Sequence, residues 1–141
     1  MHAVLETAKG NIVFRLMKTH SPKTVENFVK LAREGFYDGT IWHRVIDNFV
    51  AQGGCPIGDG TGGPGYTIEH EANDREHVKG AVAMARGREL NSGGSQFYIA
   101  RSRLSHLDGS YTVFGQVTAG LEVVDKLEAK DTLTRVTIVD A

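Results

Sequence analysis

Hydrophobic and polar positions alternate with a period of two along most of the chain. After the turn Lys9-Gly10-Asn11, Ile12, Phe14 and Leu16 share one side of a run whose other side carries Val13, Arg15 and Met17. This predicts a hairpin from residues 3–7 into residues 11–17. A helical period interrupts the alternation once. Ser21-Pro22 offers an N-cap and an N1 proline, Val25, Phe28, Val29 and Ala32 recur at helical spacing, and Gly35 stands where a glycine ends a helix, so a helix is predicted over 22–34. Short apolar runs follow at 41–46, 49–52, 81–85, 96–100, 113–117 and 132–139, parted by Gly-rich or polar turns. A second helix is predicted over 121–127, with Leu121, Val124 and Leu127 on one face. Many short strands and two helices imply a mainly β sandwich or barrel whose helices cover open ends. Phe14, Leu16, Val45 and Val113 are bulky candidates for a filled interior.

Length and composition narrow the class. A chain of 141 residues supports one core, so a single domain over 1–141 is expected. A net charge of −1, with 23% charged and 40% hydrophobic residues, gives no electrostatic reason to expect nucleic acid or an acidic membrane surface. The lone Cys55 forms no internal disulfide, and Met1-His2-Ala3-Val4-Leu5-Glu6 lacks the basic-then-apolar order of a signal peptide. No apolar run reaches the roughly 20 residues of a membrane span. A cytoplasmic location without membrane attachment is the resulting expectation. No sustained heptad or large apolar surface helix argues for assembly, so a monomer is expected.

Several motifs lack the features their apparent chemistry requires. Gly58-Asp59-Gly60-Thr61-Gly62-Gly63 lacks the Gly-Lys-Ser/Thr ending and the following helix of a phosphate cradle. It reads as a long surface loop whose glycines take positive φ. His70, Glu71 and His77 are close in sequence, but the histidines lie seven apart rather than the four that puts two imidazoles on one helical face. The two histidines read as solvated loop residues, and neither metal nor cofactor is expected. Gly93-Gly94-Ser95-Gln96-Phe97 is not the Gly-x-Ser-x-Gly elbow, so Ser95 reads as a residue at a strand start bonding to backbone.

What survives is Arg44 at the end of one strand-like run and Gln52 at the end of the next. A fixed cation and an amide on an apolar shelf suit a substrate whose reacting bond is uncharged and needs polarising, which argues against a hydrolase. The segment Trp42-His43-Arg44-Val45-Ile46-Asp47-Asn48-Phe49-Val50-Ala51-Gln52-Gly53-Gly54, with Gly60-Thr61-Gly62-Gly63, Gly94-Ser95-Gln96-Phe97, Leu107-Asp108-Gly109 and Val113-Phe114-Gly115, resembles the cyclophilins, the peptidyl-prolyl cis-trans isomerases. The likeness runs in order from about residue 3 to residue 139.

That resemblance implies a closed eight-stranded antiparallel β-barrel capped by two α-helices, and catalysis of X–Pro rotation in unfolded or loop segments of other proteins. It implies Arg44 and Gln52 as catalytic residues and a proline pocket of Phe49, Val50, Tyr98 and Leu107. Gln96 would hold peptide carbonyl or amide groups, and the backbone at Ala85, Arg86 and Gly87 would receive the residues before the proline. His43, beside Arg44, is assigned to orientation and packing, because bond rotation moves no proton obligatorily. Cys55 stands where the family often has Asp and reads as a small packed residue. His106 stands where strongly cyclosporin-sensitive relatives have Trp, so weak cyclosporin binding with retained turnover is expected. Tyr111, where His is frequent, still borders the pocket. Arg86 adds a positive charge that favours acidic residues before the proline. The rival readings are a proline-binding module that recognises without turnover, and a sugar- or lipid-binding barrel, which the bulky interior candidates disfavour.

Overall fold

A computed structural model describes residues 1–140. Nine strands form one antiparallel sheet in the order β3-β9-β1-β2-β8-β6-β7-β5-β4. In chain order these are β1 (His2–Thr7), β2 (Gly10–Leu16), β3 (Thr40–Ile41), β4 (Arg44–Val45), β5 (Val50–Gly53), β6 (Ala81–Met84), β7 (Phe97–Ala100), β8 (Val113–Ala119) and β9 (Thr132–Val139). Two helices, α1 (Pro22–Arg33) and α2 (Leu121–Lys126), and a 3-10 turn at Ser105–Leu107 complete the described elements. The hairpin, both helices and the sites of the later strands match the alternation of the sequence.

The closed eight-stranded barrel does not. The run 41–46 is not one strand, because its backbone changes partners midway. Ile41 pairs with Thr132 of β9, whereas Arg44 pairs with Gln52 of β5. Between them the Trp42 N–H donates to the Asp131 carbonyl at 2.9 Å, and the Lys130 N–H donates to the Trp42 carbonyl at 2.8 Å. One expected strand therefore becomes two, placed at opposite ends of the strand order. Among the described residues the ladder stays open between β3 and β4. Only Trp42-His43 separates those ends, so the sheet has to curl until its first and last strands lie within three residue steps, about 11 Å.

A second correction concerns the start of α1. Ser21 precedes Pro22 as expected, but its hydroxyl makes no cap bond and instead donates to the Val113 carbonyl at 2.8 Å. The cap comes from Glu71, which accepts the Thr24 N–H at 2.6 Å and the Lys23 N–H at 3.1 Å. The Ser21 N–H bonds the Met17 carbonyl and Pro22 has none, so the carboxylate takes the two N–H groups of the first turn that remain and also complements the helix dipole. Gly35, at φ +75°, ends the helix as its position predicts.

The interior is filled by aliphatic side chains around a cluster of aromatic rings. Phe28 of α1 lies 5.5 Å from Phe14, 5.4 Å from Phe114, 5.6 Å from Phe97 and 5.2 Å from Tyr37, centroid to centroid. Those spacings fall within the range in which edge and tilted ring pairs attract. β6 and β7 are buried on both faces. Val82, Met84, Phe97 and Ile99 face this core, while Ala81, Ala83, Tyr98 and Ala100 join a second cluster with Val50, Leu104 and Val113. The second cluster, on the opposite side of the sheet, carries the site.

Candidate active site

Strand register explains how residues far apart in sequence converge. Arg44 pairs with Gln52, Gln52 with Tyr98, Tyr98 with Ala83 and Ala83 with Val113. Directly paired residues point to the same face, so one row across five strands runs from a cation through an amide and a phenol to two apolar residues. The neighbouring row, Val45, Ala51, Ile99 and Val82, points into the core.

On that row lies a groove of about 150 Å³ lined by Arg44, Phe49, Val50, Gln52, Ala85, Arg86, Tyr98, Leu107 and Tyr111. Nine of the residues singled out from the sequence thus share one concavity. Gln96 and Gly87 line an adjoining groove of about 420 Å³ that shares Gln52, Ala85 and Arg86 with the first. His106 lies at the rim, stacked on Phe49 at 6.0 Å with the rings 19° apart. His43 lines neither groove. It is half-buried, and burial, followed by the Arg44 charge, lowers its pKa. Its Nδ1 has no hydrogen-bond partner among the described residues.

The polar end of the groove is a directed chain. Arg44 Nη1 approaches Gln52 Oε1 at 3.5 Å, Gln52 Nε2 donates to Gln96 Oε1 at 3.2 Å, and Gln96 Nε2 donates to the carbonyls of Gly60 and Gly62 at 3.0 and 2.9 Å. The glycine-rich loop therefore supplies carbonyls that orient Gln96, a task its composition did not disclose. Gly54, Gly58 and Gly60 adopt positive φ, as the sequence suggests, whereas Gly62 and Gly63 do not. Cys55 is fully buried beneath them, its sulfur accepting the Gly62 N–H at 3.3 Å. Burial raises the thiol pKa, but the N–H groups of Gly62, Gly58, Gly60 and Ile57 outweigh it and leave a net lowering.

Arg44 is exposed and has no carboxylate partner among the described residues. Its guanidinium sits 5.6 Å from the Phe49 ring centroid, a cation–π placement that holds the charge over the groove wall. Arg86 is more constrained. Its Nε and Nη2 both donate to the Ser110 carbonyl, at 3.2 and 2.7 Å, and the guanidinium lies 4.6 Å from the Tyr111 ring centroid.

The Cyclophilin type peptidyl-prolyl cis-trans isomerase/CLD family model matches residues 2–141. The chain belongs to this family. A peptidyl-prolyl cis-trans isomerase of Synechococcus elongatus is 50% identical over 139 residues, which cover 97% of this chain and 95% of the relative. Peptidyl-prolyl cis-trans isomerase B of Bacillus subtilis is 52% identical over 132 residues, 92% of each. The crystal structure of a Cryptosporidium parvum cyclophilin in the presence of the dipeptide Ala-Pro superposes with a TM-score of 0.93 at 28% identity over 100% of both chains. The molecule is thus an enzyme of the isomerase class. Its cyclophilin fold is a curled, mainly β sheet with two helices. Among the described residues no helix is long and apolar enough to cross a membrane, and no group of three or more His, Cys, Asp or Glu residues is placed to hold a metal ion.

In this cyclophilin His77 also departs from what the sequence pattern predicts. His77, taken for a solvated loop histidine, is fully buried. Its ring bonds Asp108 on one side and Tyr98 on the other, at 3.0 and 2.8 Å. Ser95 behaves as expected, its hydroxyl donating to the Gly54 carbonyl at 2.7 Å. The available signal for His77 was Asp108, an acid beside the pocket residue Leu107 to which no task had been assigned.

Proposed function

We propose that the groove accelerates rotation about X–Pro peptide bonds of proline-containing peptides and unfolded proteins, by non-covalent electrostatic catalysis with Arg44 as the donor. The X–Pro amide resists rotation because the nitrogen lone pair is shared with the carbonyl, giving a barrier of about 18–20 kcal/mol and isomerisation over roughly 10–100 s. In the twisted transition state the lone pair localises on the prolyl nitrogen. A donor aimed there binds that state more tightly than either planar ground state. An arginine holds five N–H donors in a rigid fork, and four of Arg44's have no protein acceptor among the described residues.

The observation that carries this reading is the shared row: one cation beside one amide, at the edge of an apolar hollow sized for a small ring. Phe49, Val50, Tyr98 and Leu107 hold the proline ring. Gln52 and Gln96, already oriented by each other, grip the peptide on one side of the rotating bond. The backbone at Ala85, Arg86 and Gly87 receives the residues before the proline. One charged donor in such a site contributes about 3–4 kcal/mol, by analogy with an oxyanion-hole donor. An acceleration of about 10⁵ needs roughly 7 kcal/mol, so grip and desolvation supply the remainder.

The test is a protease-free cis/trans exchange measurement on an Ala-Pro peptide with wild type and Arg44→Ala. Loss of exchange with retained peptide binding supports catalysis by Arg44. Unchanged exchange moves the chemistry elsewhere, and binding without exchange in the wild type makes the chain a recognition module.

A further inference from the structure

The groove floor rests on a buried polar chain whose direction follows from its members. Asp108 Oδ1 accepts both the backbone N–H of His77, at 2.7 Å, and a bond from His77 Nδ1, at 3.0 Å. Asp108 Oδ2 accepts Arg103 Nη2 at 2.8 Å, and the same guanidinium pairs with Glu76 at 3.2 Å. The Arg103 hydrogen bond, with the His77 backbone N–H, holds the Asp108 carboxyl well below the usual carboxylate range, so it is an acceptor only. His77 Nδ1 must therefore carry the proton. A neutral imidazole then has a bare Nε2, which accepts the Tyr98 hydroxyl at 2.8 Å. Burial keeps that phenol protonated.

Tyr98 is the member that reaches substrate. Its ring lines the groove, stacks on His77 at 5.8 Å and meets Tyr111 edge-on at 5.9 Å. Asp108 directly follows the 3-10 turn that carries His106 and Leu107. One imidazole and one carboxylate thus tie the floor of the hollow to its wall. A second proton on His77 would put a donor against the Tyr98 hydroxyl, whose own hydrogen would lose its acceptor in a closed apolar layer. An unmade bond of that kind is costly.

We propose that His77 is a positioning residue for the isomerisation: it holds the Tyr98 hydroxyl to fix the floor of the proline pocket, and through Asp108 it fixes the adjoining wall. The inference rests on the isomerase reading of the groove. His77 touches no substrate, so its influence has to pass through Tyr98 and depends on its own protonation state. The charged and titratable groups around it are Asp108, Arg103 and Glu76 on one side, and Tyr98, Tyr111 and His106 on the groove side. Burial lowers its pKa, against the raising effect of Asp108, so the neutral form prevails at neutral pH.

The test is a double-mutant cycle on Ala-Pro exchange with His77→Gln, Tyr98→Phe and the double variant, each checked for folding by circular dichroism. If one acts through the other, each single variant lowers kcat/KM about tenfold and the double variant lowers it by the same factor. A double variant that loses the product of the two effects, or single variants with unchanged kcat/KM, overturns the proposal. The second readout is acidification, with the His77 ring followed by its ¹⁵N shifts until it protonates. Wild-type kcat/KM falls along that titration and Tyr98→Phe does not follow it. An acid limb shared by both proteins, or one that vanishes in His106→Gln, overturns the assignment. A wild type with no Ala-Pro exchange refutes the isomerase reading itself, whereas exchange that ignores the cycle refutes only His77.

Discussion

Replacing Gln96 should disable the groove more than its half-buried position suggests. The side chain makes three bonds: donations to the Gly60 and Gly62 carbonyls at 3.0 and 2.9 Å, and acceptance of Gln52 Nε2 at 3.2 Å. An ordinary hydrogen bond nets about 0.5–1.5 kcal/mol, toward the lower end where water can replace it. Gln96→Ala then costs roughly 1.5–2 kcal/mol of local order, or about ten- to thirtyfold in kcat/KM. With Gln96 gone, only the long 3.5 Å approach of Arg44 Nη1 to Oε1 still orients the Gln52 amide. Global stability drops by about 1 kcal/mol, lowering Tm by about 3–5 °C. Gln96→Glu is nearly isosteric yet should be worse, because a carboxylate has no proton for either glycine carbonyl and adds repulsion. Relative to wild type at the same pH, part of its activity should return as the pH approaches the usual Glu value of about 4.3. Ala-Pro exchange and thermal melts measure both quantities. A Glu variant as active as the Ala variant, or either within about twofold of wild type, refutes the idea that this chain of amides orders the site.

Glu71→Ala should destabilise the fold by about 1–2 kcal/mol through loss of the α1 cap, seen as a lower denaturation midpoint with little change in exchange kinetics. Arg86 is already bonded to Ser110 and exposed, so it should favour Glu-Pro over Lys-Pro peptides by no more than about two- to fivefold at low salt; a preference that persists in Arg86→Asn, or at high salt, excludes it as the cause. Wild type should bind cyclosporin more weakly than nanomolar, and His106→Trp should tighten binding at least about tenfold by restoring a larger ring with an N–H donor; calorimetry with both proteins decides this. Acid should weaken the fold in two windows. The lowered pKa of His77 means the unfolded chain binds more protons, so stability declines as pH falls below about 6.5 and levels off under the folded value. The lowered carboxyl of Asp108 contributes stability that is present above the unfolded value near 3.9 and lost as pH falls through and below it. Chemical denaturation across pH should show the first decline reduced in His77→Gln, the lowered pKa values of His43 and His70 supplying the remainder.

Alternation and helical spacing made β1, β2, α1 and the later strands legible, because those patterns record which side of an element meets the core. They do not record partners. Residues 41–46 read as one strand since nothing local marks the switch from β9 to β5 at Trp42. Ser21 looked like a cap because the true cap, Glu71, lies 47 residues from Thr24. The groove residues were legible through family motifs, and the register later accounted for their meeting on one face. His77 escaped because neither periodicity nor motif spacing distinguishes a buried loop histidine from a wet one. Only the positions of Asp108 and Tyr98 make that distinction.

The Trp42 junction also bears on when this molecule becomes competent. The strand that carries Arg44 is two residues long and follows an indole packed against Gly53 and Phe97, whose own backbone is pinned by Lys130 and Asp131. A chain emerging from the ribosome without residues 130–139 therefore lacks both the clasp on Trp42 and the shared neighbour of β1 and β3. On the proposed role of Arg44, each newly made copy thus stays idle until residues 130–139 have paired with β1, β3 and Trp42.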